Sequence, residues 1–171
     1  MQCAPHLIRL IFCIFLAMSP SASWSEMPLL AADPVLTVSG QVPTENPKGS
    51  IAMDLGMLAA LPATEFTTTT IWTDGPQKFV GVELVTLLAE IGANGQTLKA
   101  VAVNDYAIDI PITDAVEGGP IVAYLLNGRE MSVRDKGPLW IVYPYDQNPK
   151  FKTEVVYARS IWQLNQIIVQ P

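Results

Sequence analysis

The sequence contains very little cysteine and histidine, and all of it lies near the N-terminus. Of the 171 residues, two are cysteine (Cys3 and Cys13) and one is histidine (His6). If residues 1–23 are removed as a signal peptide, the remaining chain can form no disulfide and offers no Cys or His ligand to zinc or copper. It also cannot build a Ser–His or Cys–His nucleophile pair. Any chemistry must therefore use other side chains.

Residues 1–23 have the three-part pattern of a secretory signal peptide. The positive charge of Arg9 is followed by an apolar run from Leu10 to Met18, and small residues then suit cleavage after Ser23. An uncleaved anchor is the alternative, but a membrane-spanning helix needs about 20 apolar residues, and Pro20 ends this run early. We therefore expect a periplasmic or secreted protein with no stable membrane insertion after cleavage.

The rest of the chain has an acidic excess. The formal net charge is −6 for the whole sequence and becomes −7 when Arg9 is removed with the signal peptide. This balance argues against nucleic acid or anionic lipid as a partner. The length suits one ordinary domain. We expect a flexible leader at 24–34 and a single domain at 35–171.

Short β-type segments outnumber helical ones. A helical turn is predicted at Leu55–Leu61 with Asp54 as its cap, and a helix at Val82–Ile91, where apolar residues recur at helical spacing. The Asn127-Gly128 pair indicates a type I′ hairpin. Strands are predicted at 35–38, 51–53, 64–73, 98–103, 106–110, 121–126, 139–143 and 164–169. The predicted fold class is α+β, a sheet-dominated mixed β domain with few helices.

Three stretches follow one another in a characteristic order. The first is F-V-G-V-E-L-V-T-L-L at 79–88, and the second is A-V-N-D-Y at 102–106. The third runs from N-G-R at 127–129 through K-G-P-L-W-I-V-Y-P at 136–144 to I-W-Q-L at 161–164. Together these stretches resemble the oxidoreductase molybdopterin-binding domain family, which has the fold of sulfite oxidase. The resemblance covers nearly all of 35–169 and implies a sulfite oxidase-like molybdopterin domain.

The chain departs from this family where the metal would be held. The family's enzymes bind molybdenum through a cysteine thiolate in the strand before the helix entry, but here that strand, Phe66–Trp72, contains threonines instead. Trp140 replaces an arginine, and tryptophan cannot pair with a phosphate. The resemblance thus implies a ligand- or partner-binding accessory module without a cofactor. The alternative is an active molybdopterin-dependent oxidoreductase with a non-cysteine metal environment.

Several polar and aromatic groups are candidates for the corresponding pocket. The basic cluster of Arg129, Arg134 and Lys136 would suit an anionic ligand, or it forms a solvated hairpin with weak ion pairs. The fold could bring together Trp72, Trp140 and Trp162 from three separate segments, and these tryptophans either line a pocket or fill the core. The threonines and the Asn-Asp-Tyr segment are equally explained by strand and turn propensity. The candidate pocket comprises Thr69, Thr70, Trp72, Asn104, Asp105, Tyr106, Arg134, Lys136 and Trp140. The expected partners are a small anionic ligand or a periplasmic or membrane protein.

Overall fold

The computed structural model describes residues 32–44 and 49–171. The signal peptide predicted at 1–23 and most of the leader predicted at 24–34 lie outside these residues. The strands are β1 Leu36–Gly40, β2 Ser50–Met53, β3 Ala63–Thr68, β4 Gln77–Glu83, β5 Thr97–Ala102, β6 Ala107–Pro111, β7 Ile121–Leu126, β8 Arg129–Glu130, β9 Leu139–Val142 and β10 Trp162–Gln170. The helices are α1 Leu55–Ala60, α2 Leu84–Glu90 and α3 Glu154–Arg159, with short 3-10 turns at Ile112–Asp114, Val133–Asp135 and Pro149–Phe151.

The strands form one mixed sheet. Its main path runs β2-β1-β10-β9-β7-β4-β3, while β5 pairs with β10 and β6, and β8 pairs with β7. The β1–β10 pair is parallel, and the other pairs are antiparallel. Three short helices accompany this sheet, so the predicted sheet-dominated α+β class is confirmed.

Strand β10 is the hub of the sheet. Its first residues pair with β9, its last residues pair with β1, and β5 pairs with it from Leu164 to Gln170. The register shifts between Trp162 and Leu164 on the β9 side and between Leu164 and Gln166 on the β5 side. Gln163 lies within the first irregularity and has a φ of +54°. A bulge of this kind bends a strand and redirects its side chains.

Several local predictions are confirmed. Asp54 caps α1 by accepting a hydrogen bond from the backbone N–H of Met57 at 2.8 Å. Asn127 and Gly128 both have positive φ, at +51° and +76°, as a type I′ turn requires. Every residue of β9 is buried, as expected from its nearly continuous apolar run.

Two boundaries were predicted wrongly. The strand predicted at 64–73 ends at Thr68, because the following threonines make local side-chain hydrogen bonds that form a turn. The helix predicted at Val82–Ile91 begins only at Leu84, because Val82 pairs with Ala63 and Val122 inside the sheet.

The last strand and the last helix also differ from the prediction. Strand β10 begins at Trp162 rather than Leu164, and α3 was not predicted. Helix α3 has only six residues, too few to show a helical period. Across residues 32–44 and 49–171, no helix is long and apolar enough to cross a bilayer.

Candidate functional site

A half-open apolar cleft of about 540 Å³ lies where three segments meet. These segments are the turn after β3, the β5–β6 turn, and α3 with the start of β10. The lining residues are Ile71, Trp72, Ala102, Asn104, Tyr106, Glu154, Tyr157, Ala158, Ser160, Ile161, Trp162 and Gln163. Clefts of this size with apolar walls and a few polar groups are the usual form of a small-molecule site.

The turn after β3 forms the first wall through Ile71 and Trp72, and the threonines before them hold this turn in place. Buried Thr68 accepts a hydrogen bond from the backbone N–H of Asp146 at 3.0 Å, and Thr69 donates to the Asp146 carboxylate through its backbone N–H at 2.6 Å and its hydroxyl at 2.9 Å. Thr70 Oγ1 lies 2.8 Å from Thr73 Oγ1 and accepts from the backbone N–H of Trp72 at 3.1 Å. These bonds fasten the turn to the loop after β9 and set the direction of Trp72.

Trp72 is the centre of an aromatic cluster. Its ring lies 5.9 Å from Trp140, 5.9 Å from Tyr157 and 5.4 Å from Trp162, measured between ring centroids, with interplanar angles of 65°, 89° and 73°. Trp140 and Trp162 are themselves 6.2 Å apart at 86°. Edge-to-face packing of this kind is favourable for aromatic quadrupoles. The fold therefore brings together the three tryptophans that are separate in the sequence.

Within this cluster, Trp140 belongs to the core and the other two tryptophans face the cleft. Trp140 has no exposed surface and donates its indole N–H to the backbone carbonyl of Ser160 at 3.2 Å. Trp72 is half-buried and Trp162 is 37% exposed. Trp140 thus supports the wall from behind, and Trp72 and Trp162 form its surface.

Helix α3 supplies the second wall. Thr153 begins it by accepting a hydrogen bond from the Val156 N–H at 3.3 Å. Glu154, Tyr157 and Ala158 all line the cleft, because positions i, i+3 and i+4 share one helix face. At the other end, the Arg159 guanidinium binds Asp114 at 2.9 Å. The ion pair and the cap hold this short helix against the sheet.

The β10 bulge supplies the third wall. Ile161, Trp162 and Gln163 are consecutive and all line the cleft, whereas a regular strand alternates its side chains between two faces. Gln163 makes this possible: its backbone N–H donates to Lys136 O at 3.0 Å, and its carbonyl accepts from Val103 N–H at 2.9 Å. Its side-chain amide donates to Val133 O at 2.6 Å.

The β5–β6 turn closes the rim. Asn104 accepts a hydrogen bond from the Tyr106 N–H at 3.2 Å, and Asp105 has a φ of +65°. Asn and Asp tolerate such turns well. Tyr106 is 54% exposed and lines the cleft together with the even more exposed Ile71.

The nine residues proposed from the sequence fall into two groups. Trp72, Asn104 and Tyr106 line the cleft, and Trp140 lies directly behind it. The remaining five are Thr69, Thr70, Asp105, Arg134 and Lys136, which are not among the lining residues. Thr69 and Thr70 instead shape the turn that carries Trp72.

The basic residues do not face into the cleft. The Lys136 ammonium lies 5.8 Å from the Trp140 ring centroid, within the range of a cation–π contact. Arg129 contributes to a separate, more polar depression beside the β7–β8 hairpin, which Glu130 and Asp135 also line. The one ionisable carboxylate among the described lining residues is Glu154.

This donor set does not fit a pterin-bound molybdenum. The lining residues include no sulfur ligand for the metal, and none of them is a cation that could pair with a phosphate. In the part of the chain that the structure describes, no group of three or more His, Cys, Asp or Glu side chains could hold a metal ion.

Behind the cleft lie buried polar groups that join α3 to the core. The Tyr143 phenol donates to Asp114 Oδ2 at 2.7 Å, and the Tyr145 phenol is hydrogen-bonded to the Ser160 hydroxyl. Burial raises the pKa of both tyrosines well above the ordinary value, and the hydrogen bond to Asp114 adds to this effect at Tyr143. Both phenols therefore stay neutral, and Tyr143 acts as a structural donor to Asp114.

Sequence reasoning missed the contribution of α3. Glu154, Tyr157 and Ala158 all belong to this unpredicted helix, and Thr153 followed by Glu154 was the available N-terminal signal. Trp162 was recognised as part of an aromatic group but was left out of the proposed pocket. Its neighbour Gln163 gave no signal, because a bulge depends on the partner strands rather than on local sequence.

Two comparisons with known proteins gave no relative: no protein-family model matches the chain, and a search of curated proteins finds no match.

Proposed function

We propose that this chain is a binding module: an exported domain of the sulfite oxidase-like type that lacks the metal-ligating thiolate and holds a small, mainly apolar ligand in its aromatic cleft. The observation that carries the proposal is the convergence of Trp72, Tyr106, Tyr157 and Trp162 on one half-open cavity of about 540 Å³. Exposed aromatic side chains are costly to leave in water and are characteristic of recognition sites.

The type of ligand follows from the lining. Apolar side chains form most of the walls, while Asn104, Ser160 and Gln163 supply a few polar atoms for orientation. The small anionic ligand expected from the sequence is not favoured, because Arg134 and Lys136 are not among the lining residues and Glu154 is. A neutral or cationic ligand suits this cleft better.

The test is a binding experiment on the mature protein with four small probes: indole, cyclohexanol, choline and benzoate. Amide chemical-shift changes in a ¹H–¹⁵N spectrum should concentrate on the turn at 69–73, on Tyr106 and on residues 161–163. Trp162→Ala and Tyr106→Ala should each weaken the probes that bind by about fivefold or more, since one aromatic contact contributes about 1 kcal/mol. Val116→Ala, at another exposed apolar position, should leave binding unchanged. Failure of all four probes to bind would contradict the proposal.

The second candidate is a molybdopterin-dependent oxidoreductase, and only the family resemblance favours it. It requires the metal to be held without a protein thiolate, for which a hydroxyl of Thr67–Thr70 is the available oxygen. Metal analysis after expression with the native leader, in a host that makes molybdenum cofactor, separates the two candidates. Molybdenum near one atom per chain would mean that the domain still carries the cofactor, as the oxidoreductase requires, and its absence would favour the binding module.

A further inference from the structure

We infer, on the basis of the proposed binding function, that the aromatic cleft selects a small cation whose nitrogen carries alkyl groups, of the quaternary-ammonium class. Three features of the described residues support this: aromatic side chains that meet Trp72 at steep angles, a carboxylate at the rim and the pairing of two of the neighbouring cations.

The aromatic side chains of the cleft meet at steep angles. Trp72 stands at 89° to Tyr157 and at 73° to Trp162, with centroid separations of 5.9 and 5.4 Å. Rings at nearly right angles form the corner of a box rather than a flat stack. Such a corner suits a compact, rounded group better than a planar one. The π faces of tryptophan and tyrosine attract a cation lying within about 6 Å, and this is how alkylated ammonium groups are commonly recognised.

The charge at the cleft is negative, as the binding of a cation requires. Glu154 is exposed and lines the cleft, and Asp105 lies in the turn beside Asn104. Two of the basic groups on nearby elements are already neutralised, since Arg159 binds Asp114 at 2.9 Å and Lys152 binds Asp146 at 2.8 Å. The whole chain is acidic, with a net charge of −6. A cation therefore meets a favourable potential as it enters.

Lys136 places a positive charge beside the same aromatic cluster. Its ammonium lies 5.8 Å from the Trp140 centroid, and Trp140 packs against both Trp72 and Trp162. This positive charge opposes a second cation in the cleft. Its removal should therefore strengthen the binding of a cationic ligand and not that of a neutral one.

The cleft favours a nitrogen that carries alkyl groups over a primary ammonium, because the primary ammonium loses more hydrogen bonds when water is removed. A primary ammonium has three N–H donors that need acceptors when water is removed, and an unpaired buried donor costs free energy. The cleft has apolar walls and few acceptors. The Ser160 hydroxyl is bonded to Tyr145 and Val156, and Asn104 Oδ1 is bonded to Tyr106. The Glu154 carboxylate and the Gln163 amide oxygen remain, too few to serve three N–H donors that point in different directions. A quaternary nitrogen has no N–H and brings a methylated surface that the rings can cover.

The experiment uses a matched pair of probes, choline and 3,3-dimethyl-1-butanol. They have nearly the same shape and differ by the exchange of a charged nitrogen for carbon. Calorimetric or NMR titration should show choline binding about tenfold more tightly than the neutral alcohol, as expected for a partly desolvated cation–π site. Glu154→Gln should weaken choline by about threefold to tenfold and leave the alcohol unchanged. Glu90→Gln, the same charge change at the exposed end of α2, is the control.

A second variant tests the inference from the opposite side. Lys136→Asn removes the competing charge, and asparagine tolerates the φ of +66° at this position. We expect choline to bind two- to fivefold more tightly to this variant and the alcohol to bind as before. Equal binding of choline and the alcohol to the wild-type protein would overturn the selectivity for cations but leave the binding module standing. Failure of both probes, together with the neutral probes of the first experiment, would overturn both.

Discussion

The phenol of Tyr143 and the carboxylate of Asp114 are joined by a hydrogen bond of 2.7 Å, and the same carboxylate binds Arg159 at 2.9 Å. This connection links the end of β9, a 3-10 turn and the C-terminus of α3. Because α3 forms one wall of the cleft, the three residues hold that wall in place from behind.

The first prediction concerns stability at alkaline pH. Burial, and then the hydrogen bond to Asp114, raise the pKa of Tyr143 above its ordinary value of about 10. The folded protein therefore holds the phenol proton more tightly than the unfolded chain. The contribution of this proton to the free energy of unfolding is fully present below about pH 10 and is lost as the pH rises further. The free energy of unfolding, measured by urea denaturation, should fall steeply above about pH 10.

Tyr143→Phe is the matched variant for this prediction. It should be less stable by about 1–2 kcal/mol at pH 7, because the partly buried Asp114 loses a donor. Its stability should also fall less steeply above about pH 10, while Tyr145 retains its own contribution. Identical slopes in the wild-type protein and the variant would show that Tyr143 does not account for the alkaline loss.

The second prediction concerns Asp146, which fastens the threonine turn. The hydrogen bond from Lys152, and then the bond from the backbone N–H of Thr69, lower the pKa of its carboxyl to about 2. Its stabilising contribution is present above the ordinary value near 4 and is lost as the pH falls towards 2. Carbon-detected NMR titration should find this low pKa, and Lys152→Met should move it upwards. An unchanged value in Lys152→Met would rule out the lysine as the main cause.

The third prediction concerns the backbone at Gln163. Its φ of +54° is a left-handed conformation that glycine adopts freely and alanine does not. Gln163→Gly and Gln163→Ala both remove the side-chain hydrogen bond to the Val133 carbonyl. They differ in how readily the backbone at this position adopts a positive φ. The glycine variant should be more stable than the alanine variant by about 1 kcal/mol, as measured by thermal or urea unfolding. Equal stabilities of the two variants would mean that the backbone at position 163 is not held at a positive φ in solution.

The fourth prediction concerns Gly81 in β4. A Cβ atom at this position would lie 2.3 Å from the Val122 carbonyl oxygen and 2.6 Å from the Ala123 Cα, so the neighbouring strand β7 would have to move. Gly81→Ala should therefore lower the free energy of unfolding by about 1–3 kcal/mol. The control is Gly56→Ala in α1, where the nearest atom, Asp54 Oδ1, would be 3.3 Å away and would have to yield only slightly, while helix propensity favours alanine. Equal effects of the two substitutions would contradict the close approach of β4 and β7.

Much of the fold could be predicted because its signals are local. Asp54 ahead of a helical turn, the Asn127-Gly128 pair and the apolar run of β9 each identify their structure within a few residues. The strand and helix that meet at Val82–Leu84 could not be separated in this way. Val82 has the spacing of a helix position, but its pairing with Ala63 and Val122 places it in the sheet. Tertiary pairing decides such cases.

The candidate site was harder to predict because it depends on distant partners. The sequence left open whether Trp72, Trp140 and Trp162 line a pocket or fill the core; the fold brings them together, with Trp140 in the core and the other two at the cleft. It could not indicate that Gln163 forms a bulge, which requires the register of both β5 and β9. It also could not assign Thr69 and Thr70, whose role follows from Asp146 and from the turn they occupy.

The parallel pairing of β1 with β10 has a consequence for how the protein is made. These strands are the first and last of the described sheet, and β10 also joins β5 and β9. During synthesis, β1 cannot pair with its parallel partner until β10 has been made, after every other strand of the described sheet. The sheet is therefore completed by a pairing between its first-made and last-made strands. Such distant pairing slows folding, and the β10-facing edge of β1 stays unpaired for that whole interval.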